Sequence, residues 1–237
     1  MSNNYFQFKQ FTITQDKCAM KVSTDACIQG AWTPVLPGVK KVLDIGTGTG
    51  LLSLMLAQKN IEITIDAIEL DSDAAQQAKQ NVLSSLWKER IAIIEGNVRN
   101  STFAKKYDLI ICNPPFFQNS LLGDEAKRNM AKHTLTLTHA SLFGVIDNLL
   151  EDDGYVSVLL PTDEFAKWEL LLAEKKWHVF NKLLVKHRKD ESVKRIVGLC
   201  RRFPIKEKTE QTLIIRKNEH EYSAEFIDLL RPYYLNL

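Results

Sequence analysis

The sequence predicts an α/β fold in which a mostly parallel sheet is covered by helices on both faces. Short apolar runs typical of buried strands alternate with longer helical segments over residues 40–176. Strands separated by helices of this length pair in parallel and need cover on both faces. The pattern changes at 178–188 and 193–203, two strand-like runs joined by KDES, a link too short for a parallel crossover. We therefore expect an antiparallel hairpin at the sheet edge.

Each element of the predicted fold has its own signature along the chain. Strands are predicted at 40–46, 62–70, 91–97, 107–113 and 155–161. Helices are predicted at 51–59, 71–86, 138–152 and 163–176. The helix at 71–86 opens with Asp and Ser residues, which can cap its first amides. After the hairpin, TLIIRK and SAEFIDLLRPYYLNL indicate a further strand and a short helix, so one domain is expected over 40–237, preceded by a segment over 1–39.

Composition is that of an ordinary globular protein. Of the 237 residues, 45% are hydrophobic and 25% are charged, which is enough apolar material for a sizeable core. The N-terminus has no apolar run of the signal-peptide kind, and no later run reaches membrane-spanning length without charge. A cytoplasmic location is therefore expected. The four cysteines and five histidines show no metal-ligand spacing, so neither a zinc site nor a disulfide framework is predicted.

Positive charge is concentrated in the predicted hairpin. The formal net charge is only +2, yet eight Lys and Arg residues stand against two acids between Lys182 and Arg202. Such a run is often a solvated surface, and it can equally be an edge that contacts phosphates. The sequence leaves both interpretations open.

Three of the ten glycines lie close together in the stretch DIGTGTG, between the first strand of the domain and its helix. Gly46, Gly48 and Gly50 permit a turn that brings main-chain atoms near a ligand at the helix N-terminus. Glu69, which ends the second strand, can accept hydrogen bonds from both ribose hydroxyls of a nucleotide. The spacing GxGxG places Leu51 where the dinucleotide fingerprint needs its last glycine, which argues against an NAD-dependent dehydrogenase.

The stretch CNPPFF at 112–117 ends a strand with an amide, two prolines and two phenylalanines. An Asn-Pro turn closes many strands, so that pair alone has little meaning. Two successive prolines, however, fix the backbone after Asn113 and hold its amide, a carbonyl and the ring of Phe116 in one arrangement. Rigid polar atoms beside an aromatic ring suit the binding of a flat group that carries an amine.

Taken together, DIGTGTG, Glu69 and the NPPF sequence at 113–116 resemble the motifs of class I S-adenosylmethionine-dependent methyltransferases that act on exocyclic or amide nitrogens. The N-terminal stretch YFQFKQF…MKVSTDACIQGAW also resembles the bacterial tRNA(Val) adenine-37 N6-methyltransferase family, and this resemblance spans nearly the whole chain. It implies a Rossmann-like class I methyltransferase fold with a seven-stranded, mostly parallel sheet and an antiparallel edge hairpin. The implied cofactor is S-adenosylmethionine and the implied partner is a tRNA, without DNA or membrane contact.

The resemblance further implies roles for single residues. Asp44 would lie near the cofactor amino group, the three glycines would line its methionine and ribose part, and Glu69 would bind the ribose. The remaining cofactor contacts would be Leu70, Asn97 and Val98, the last two beside the adenine; relatives often carry Asp in place of Asn97. The catalytic turn would comprise Asn113, Pro114, Pro115 and Phe116.

Substrate contacts are implied in three places. The segment over 1–39 would form the rim of the active site, with Lys21, Thr24 and Asp25, while Ser23 and Gln29 depart from the small or aliphatic residues usual there. Arg128 and His133 follow the NPPF motif and could reach the substrate. The hairpin cations that could hold tRNA phosphates are Lys186, Arg188, Lys189, Lys194 and Arg195.

An exocyclic amine is a poor nucleophile, because its lone pair is delocalised into the ring. The NPPF motif suits methylation of such a nitrogen. The Asn113 side-chain oxygen and the Pro114 carbonyl would each accept one amine proton, and Phe116 would stack on the base. Related enzymes with this motif methylate guanine N2 in ribosomal RNA, glutamine N5 in proteins or adenine in DNA. The extra domains or inserts usual in those enzymes do not fit a chain with only about forty residues before the first strand of the domain. Among them, guanine N2 of ribosomal RNA is the second choice. A non-catalytic RNA-binding module is the alternative of another class, and the intact Asn113 and glycines argue against it.

Overall fold

A central sheet with helices on both of its faces forms most of the protein. The computed structural model describes residues 3–18, 20–114 and 137–237. The strands are β1 (Tyr5–Gln7), β2 (Thr12–Thr14), β3 (Lys41–Ile45), β4 (Thr64–Glu69), β5 (Ile91–Glu95), β6 (Tyr107–Cys112), β7 (Leu150–Pro161), β8 (His178–Lys186), β9 (Arg195–Arg201) and β10 (Thr209–Ile214). The helices are α1 (Thr24–Trp32), α2 (Leu51–Lys59), α3 (Ser72–Leu83), α4 (His139–Leu149), α5 (Thr162–Glu174) and α6 (Ala224–Leu230), with a 3-10 helix at Lys88–Arg90.

The central sheet has the strand order β10-β8-β9-β7-β6-β3-β4-β5. Strands β5, β4, β3, β6 and β7 pair in parallel, which confirms the predicted α/β arrangement. The hairpin of β8 and β9 is antiparallel as predicted, and β9 also pairs antiparallel with β7. The sheet has eight strands instead of the seven expected, because β10 adds in parallel to β8 beyond the hairpin. The free backbone groups of β8 are thereby paired, and β10 becomes the edge.

One predicted boundary also needs correction. The helix expected at 138–152 ends at Leu149, and β7 begins directly at Leu150 instead of at 155. The acidic residues after Leu150 resemble the end of a helix in the sequence. In the structure they belong to β7, whose pairing with β6 is irregular at this point. Gly154 lies at this irregularity, where a Cβ atom would come within 2.9 Å of the Leu150 side chain and 3.0 Å of the Asp108 carbonyl.

Two apolar clusters fill the spaces between the sheet and its helices. Helices α1, α2, α3 and α6 cover one face, and α4 and α5 cover the other. Neighbouring strand residues serve opposite faces, as Val42 and Leu43 illustrate, which is the alternation of a pleated sheet. Helices α1 and α2 approach closely at Gly30, where a Cβ atom would lie 2.7 Å from the Met55 sulfur. Within the described ranges, no helix has the length and apolar character needed to cross a bilayer.

The N-terminal segment packs on the same face as α1, α2 and α6. Strands β1 and β2 form a small antiparallel hairpin, and Phe8 and Ile13 are buried in the larger apolar cluster. The backbone of Phe8 bridges to Tyr234, and the Lys9 amide donates to the Tyr233 carbonyl over 2.8 Å. The two ends of the chain therefore stabilise each other beside α1.

Candidate active site

The predicted cofactor residues, together with Asn113 and Pro114, lie at the end of the sheet where the parallel strands terminate. The last paired residues of the neighbouring strands include Ile45 with Cys112 and Glu69 with Glu95. Gly46, Asn97 and Asn113 follow these positions directly or within two residues. The order of the strands also reverses between β3 and β6, and ligands of open α/β sheets bind at such a switch point.

The glycine loop between β3 and α2 has the left-handed backbone that its sequence indicates. The φ angles of Gly46, Gly48 and Gly50 are 71°, 54° and 84°, which residues with a side chain rarely adopt. Among the residues that the structure describes, a Cβ atom at Gly46 or Gly48 would meet nothing within 4 Å, so these residues leave open space against the backbone at both positions. The loop can therefore receive a ligand at van der Waals distance from its main chain.

Asp44 lies at the floor of this loop and is completely buried. Its Oδ2 atom accepts hydrogen bonds from the Thr47 hydroxyl over 2.6 Å and the Ser53 hydroxyl over 2.7 Å. Burial raises the pKa of the carboxyl to about 6, although the two hydroxyl donors oppose that shift. The Oδ1 atom is buried and has no hydrogen-bond partner among the described residues. A buried, unpaired carboxylate oxygen is suited to a cationic group of a ligand.

Glu69 is held at the end of β4 by the glycine loop itself. Its Oε2 atom accepts from the Gly48 amide over 2.8 Å, and its Oε1 atom accepts from the Asp71 amide over 3.0 Å. Each carboxylate oxygen can accept further hydrogen bonds, so these contacts orient the carboxylate and leave acceptor capacity for hydroxyl groups. Leu70 follows with 48% of its surface exposed, which places an apolar side chain next to this carboxylate.

The end of β5 forms a tight turn around Asn97. Its side-chain oxygen accepts from the Arg99 amide over 3.1 Å, and its carbonyl accepts from the Asn100 and Ser101 amides. The Asn97 side chain thus shapes the turn, while Val98 packs against the second apolar cluster. The turn begins beside the end of β4, because the amide of Gly96, the residue before Asn97, donates to the Glu69 carbonyl over 2.8 Å.

These features together fit S-adenosylmethionine. The unpaired Oδ1 atom of Asp44 suits the amino group of the methionine part, the open space at Gly46 and Gly48 suits its chain, and Glu69 suits the ribose hydroxyls. Across the described ranges, no group of three or more His, Cys, Asp or Glu residues could hold a metal ion.

Asn113 and Pro114 lie at the end of β6, beside the glycine loop. Asn113 is half-buried and Pro114 is buried, and none of the hydrogen bonds among the described residues uses the Asn113 amide. The backbone just before them is held from below, because the Gln29 Nε2 atom donates to the Cys112 carbonyl over 3.0 Å. The other predicted residues of this region lie outside the described residues: Pro115, Phe116, Arg128 and His133.

The predicted rim residues lie where the N-terminal segment enters α1. Ser23 caps this helix through a hydrogen bond from the Ala26 amide over 3.2 Å, and Thr24 is exposed in the first turn. Asp25 forms an ion pair with Arg195 over 3.2 Å, which connects the rim to the basic hairpin. Lys21 is exposed, and its ammonium lies 3.4 Å from the Asn3 carbonyl.

Two amide side chains of α3 hold the N-terminal segment near the glycine loop, and neither was predicted from the sequence. Asn81 accepts from the Thr14 amide and donates to the Thr49 carbonyl of the glycine loop, each over 2.9 Å. Gln77, one turn earlier on the same face, accepts from the Lys17 amide over 3.0 Å. Polar residues at such spacing in a helix look like a solvated surface, although both are almost fully buried.

The loop of the basic hairpin lies at the same end of the strands as Asn113. Strands β7 and β8 run in the same direction, since each is antiparallel to β9, so the loop after Lys186 stands on the side where β6 and β7 end. Lys189 and Lys194 are exposed, whereas Arg188 forms an ion pair with Glu219 over 3.6 Å. Cationic side chains and the predicted catalytic turn therefore share one side of the molecule.

Comparison with known proteins agrees with this arrangement. The family model of the methyltransferase small domain matches residues 33–181. A tRNA1(Val) (adenine(37)-N6)-methyltransferase of Tolumonas auensis is 41% identical, and the match covers 100% of this chain and 99% of the relative. A protein of the same name from Dyadobacter fermentans is 39% identical over 98% of both chains.

A likeness to solved structures supports the fold independently of these relatives. The crystal structure of a predicted O-methyltransferase from Agrobacterium tumefaciens has a TM-score of 0.67 at 15% identity, and the match covers 90% of this chain and 100% of that chain. At this identity the similarity concerns the fold alone. With a family model over more than half of its length and full-length relatives at about 40% identity, the chain belongs to the tRNA1(Val) (adenine(37)-N6)-methyltransferase family.

Proposed function

We propose that this protein transfers a methyl group from S-adenosylmethionine to N6 of an adenine in a cytoplasmic tRNA. The relatives' names point to adenine 37 of tRNA1(Val) as the target. The observation that carries the proposal is the position of Asn113 and Pro114 directly beside a glycine loop whose floor holds the unpaired Asp44 oxygen. Hydrogen-bond acceptors for the substrate amine and a site for the methyl donor therefore lie side by side, at the end of the sheet where the parallel strands terminate.

Three groups of the protein would hold the cofactor. Asp44 would bind its ammonium, the backbone of the glycine loop would lie against its methionine chain, and Glu69 would accept hydrogen bonds from the ribose hydroxyls. When bound, S-adenosylmethionine supplies a methyl group on a positively charged sulfur. Leu70 and Val98 offer apolar surface for the adenine, and the Asn97 turn closes that end of the pocket.

Asn113 and Pro114 prepare the acceptor nitrogen. Their two oxygens each accept one hydrogen bond from the adenine amine, which favours a pyramidal nitrogen with its lone pair directed at the methyl carbon. Positive charge that develops on nitrogen is stabilised by the same two dipoles. The bound cofactor would supply the methyl carbon, whose bond to sulfur would break as its bond to nitrogen forms, and the extra proton would then leave the nitrogen for water. Holding the two groups in line can supply roughly 7 to 11 kcal/mol of the barrier reduction.

The substrate reaches this turn from the side that carries the basic hairpin. A base in an anticodon loop is turned out of its stack more easily than a base in a duplex, and Phe116 offers it a stacking partner. Exposed Lys189 and Lys194 are placed to contact phosphates, so tRNA affinity should fall steeply as salt increases. The ion pair of Asp25 with Arg195 connects this surface to the rim of the site.

The proposal is tested by incubating the protein with labelled S-adenosylmethionine and total RNA from a strain that lacks the gene. Separation of tRNA from ribosomal RNA and mass analysis of the nucleosides should show N6-methyladenosine in the tRNA. Label in N2-methylguanosine of ribosomal RNA, or no label in either fraction, would contradict the proposal. Asn113→Ala serves as the matched control that binds cofactor without transfer.

A further inference from the structure

A buried amide side chain lies directly beneath the proposed catalytic turn. Gln29, in the middle of α1, has no exposed surface. Its Nε2 atom donates to the Cys112 carbonyl over 3.0 Å and to the Ser157 carbonyl over 3.2 Å. One side chain thus connects the end of β6 and the interior of β7 to a helix that lies outside the sheet.

The Cys112 carbonyl controls the orientation of Asn113. It belongs to the peptide unit that contains the Asn113 nitrogen, and this unit is planar. Cys112 is also the last residue of β6 that pairs with β7, so the sheet no longer restrains the chain beyond it. The ring of Pro114 fixes the backbone on the other side of Asn113. With the Cys112 carbonyl held, the direction of the Asn113 side chain depends on few remaining torsions.

The way in which Gln29 is buried argues against a role in packing alone. Its Oε1 atom is buried without a hydrogen-bond partner among the described residues. An aliphatic side chain of similar size would fill the same space without an unpaired acceptor, at the expense of the Nε2 contacts to the Cys112 carbonyl and to the carbonyl and hydroxyl of Ser157. Burial of the Oε1 atom is unfavourable, and the favourable counterpart is the set of hydrogen bonds that Nε2 donates to Cys112 and Ser157.

We propose that Gln29 is a positioning residue for methyl transfer, which sets the direction of the Asn113 amide through the Cys112 carbonyl. This proposal rests on the proposed function, because it assigns Gln29 to the same reaction. Loss of the contact should lower kcat by at least about tenfold, given that a 1 Å misplacement can lower a rate about a hundredfold. The Kd for the cofactor should stay within a few-fold, since the hydrogen bonds of Gln29 among the described residues go to Cys112 and Ser157 and not to the glycine loop, Asp44 or Glu69.

Gln29→Leu and Gln29→Met remove the amide and keep an apolar side chain of similar size. Thr33→Val is the matched control, because Thr33 is equally buried and its hydroxyl lies 2.7 Å from the Ser157 hydroxyl without contact to Cys112. All three variants disturb the same buried polar cluster. Only the Gln29 variants release the Cys112 carbonyl.

Two measurements decide the proposal. In nitrogen–proton spectra of the cofactor-bound protein, the side-chain amide signal of Asn113 should shift or broaden in Gln29→Leu and Gln29→Met and stay in place in Thr33→Val. Single-turnover rates should fall in the Gln29 variants alone. An unchanged Asn113 signal, or equal rate losses in Thr33→Val, would overturn the assignment.

The spectroscopic result does not depend on turnover, so it separates this proposal from the proposed function. If wild-type protein leaves tRNA unmethylated, the proposed function fails, while the Asn113 signal still reports whether Gln29 positions that side chain. Should both Gln29 variants fail to fold, proton exchange in the wild-type protein remains as a test. The Gln29 side-chain amide protons should exchange far more slowly than those of an exposed glutamine, and rapid exchange would refute the contact.

Discussion

Cofactor affinity should depend on pH through Asp44. The carboxyl is buried, and its pKa is raised to about 6 by that burial in the ligand-free protein. An ammonium group beside Oδ1 would favour the ionised form of the Asp44 carboxyl, so the carboxyl must lose its proton for the cofactor to bind. At pH 5 only about one molecule in eleven has the carboxylate ready, which should weaken binding about tenfold relative to pH 7.

The assay is calorimetric titration with S-adenosylhomocysteine, which keeps the amino group and ribose of the cofactor and cannot react. Wild-type protein should bind about tenfold more weakly at pH 5 than at pH 7, whereas Asp44→Asn should bind weakly at both pH values. Thermal unfolding at each pH verifies that the protein remains folded. A wild-type Kd that changes less than twofold, or a variant that keeps the pH dependence, would refute the assignment of Asp44 to the ammonium.

The same carboxyl should make the ligand-free protein less stable as pH rises. The pKa of Asp44 is raised on folding from 3.8 to about 6, so its stabilising contribution is complete below pH 3.8 and is lost as pH rises through about 6. A shift of this size corresponds to about 3 kcal/mol at most. Asp44→Asn should therefore gain unfolding free energy relative to wild type at pH 7, measured by urea denaturation without ligand. No gain at pH 7 would contradict the raised pKa.

Three further variants test separate parts of the site. Asn113→Ala should leave the cofactor Kd within a few-fold and lower single-turnover methyl transfer by about a hundredfold or more, as expected for lost transition-state dipoles; wild-type activity would reject its role. Charge reversal at Lys186, Arg188 and Lys189 should raise the Kd for tRNA and reduce its salt dependence while sparing cofactor binding, and an unchanged tRNA Kd would move the interface elsewhere. Lys59→Met removes the ammonium that donates to three carbonyls at the end of α1. The unfolding free energy should therefore fall by about 1 to 3 kcal/mol, while the cofactor affinity stays unchanged. Stability equal to that of wild type would show that water replaces these contacts.

The parts of the site that were predictable from sequence are those encoded by short stretches. Gly46, Gly48 and Gly50 lie together in the chain, and each needs a left-handed backbone that only glycine adopts readily. Glu69 and Asn113 end strands, and parallel strands bring their carboxyl ends to one edge of the sheet. Local conformation and strand direction are sufficient to place these residues.

The contacts between distant segments could not be predicted in this way. Gln29 and Cys112 are 83 positions apart, and nothing in the sequence near either residue indicates a partner. Asn81 looks like an exposed helix residue, although it joins β2 to the glycine loop. Such pairings depend on how helices pack on the sheet, which periodicity does not specify. The pairing of β10 with β8 could not be predicted for a similar reason, since any strand can pair with an open sheet edge.

The most direct measurement of the central claim is a structure of the protein with a cofactor analogue and an anticodon stem-loop. The account predicts that the Asn113 side-chain oxygen and the Pro114 carbonyl oxygen each lie about 2.7 to 3.2 Å from N6 of the flipped adenine. The sulfur-bound methyl position, or its counterpart in the analogue, should lie in line with that nitrogen. An adenine amine held by other groups, with the turn at Asn113 remote from the methyl position, would contradict the account.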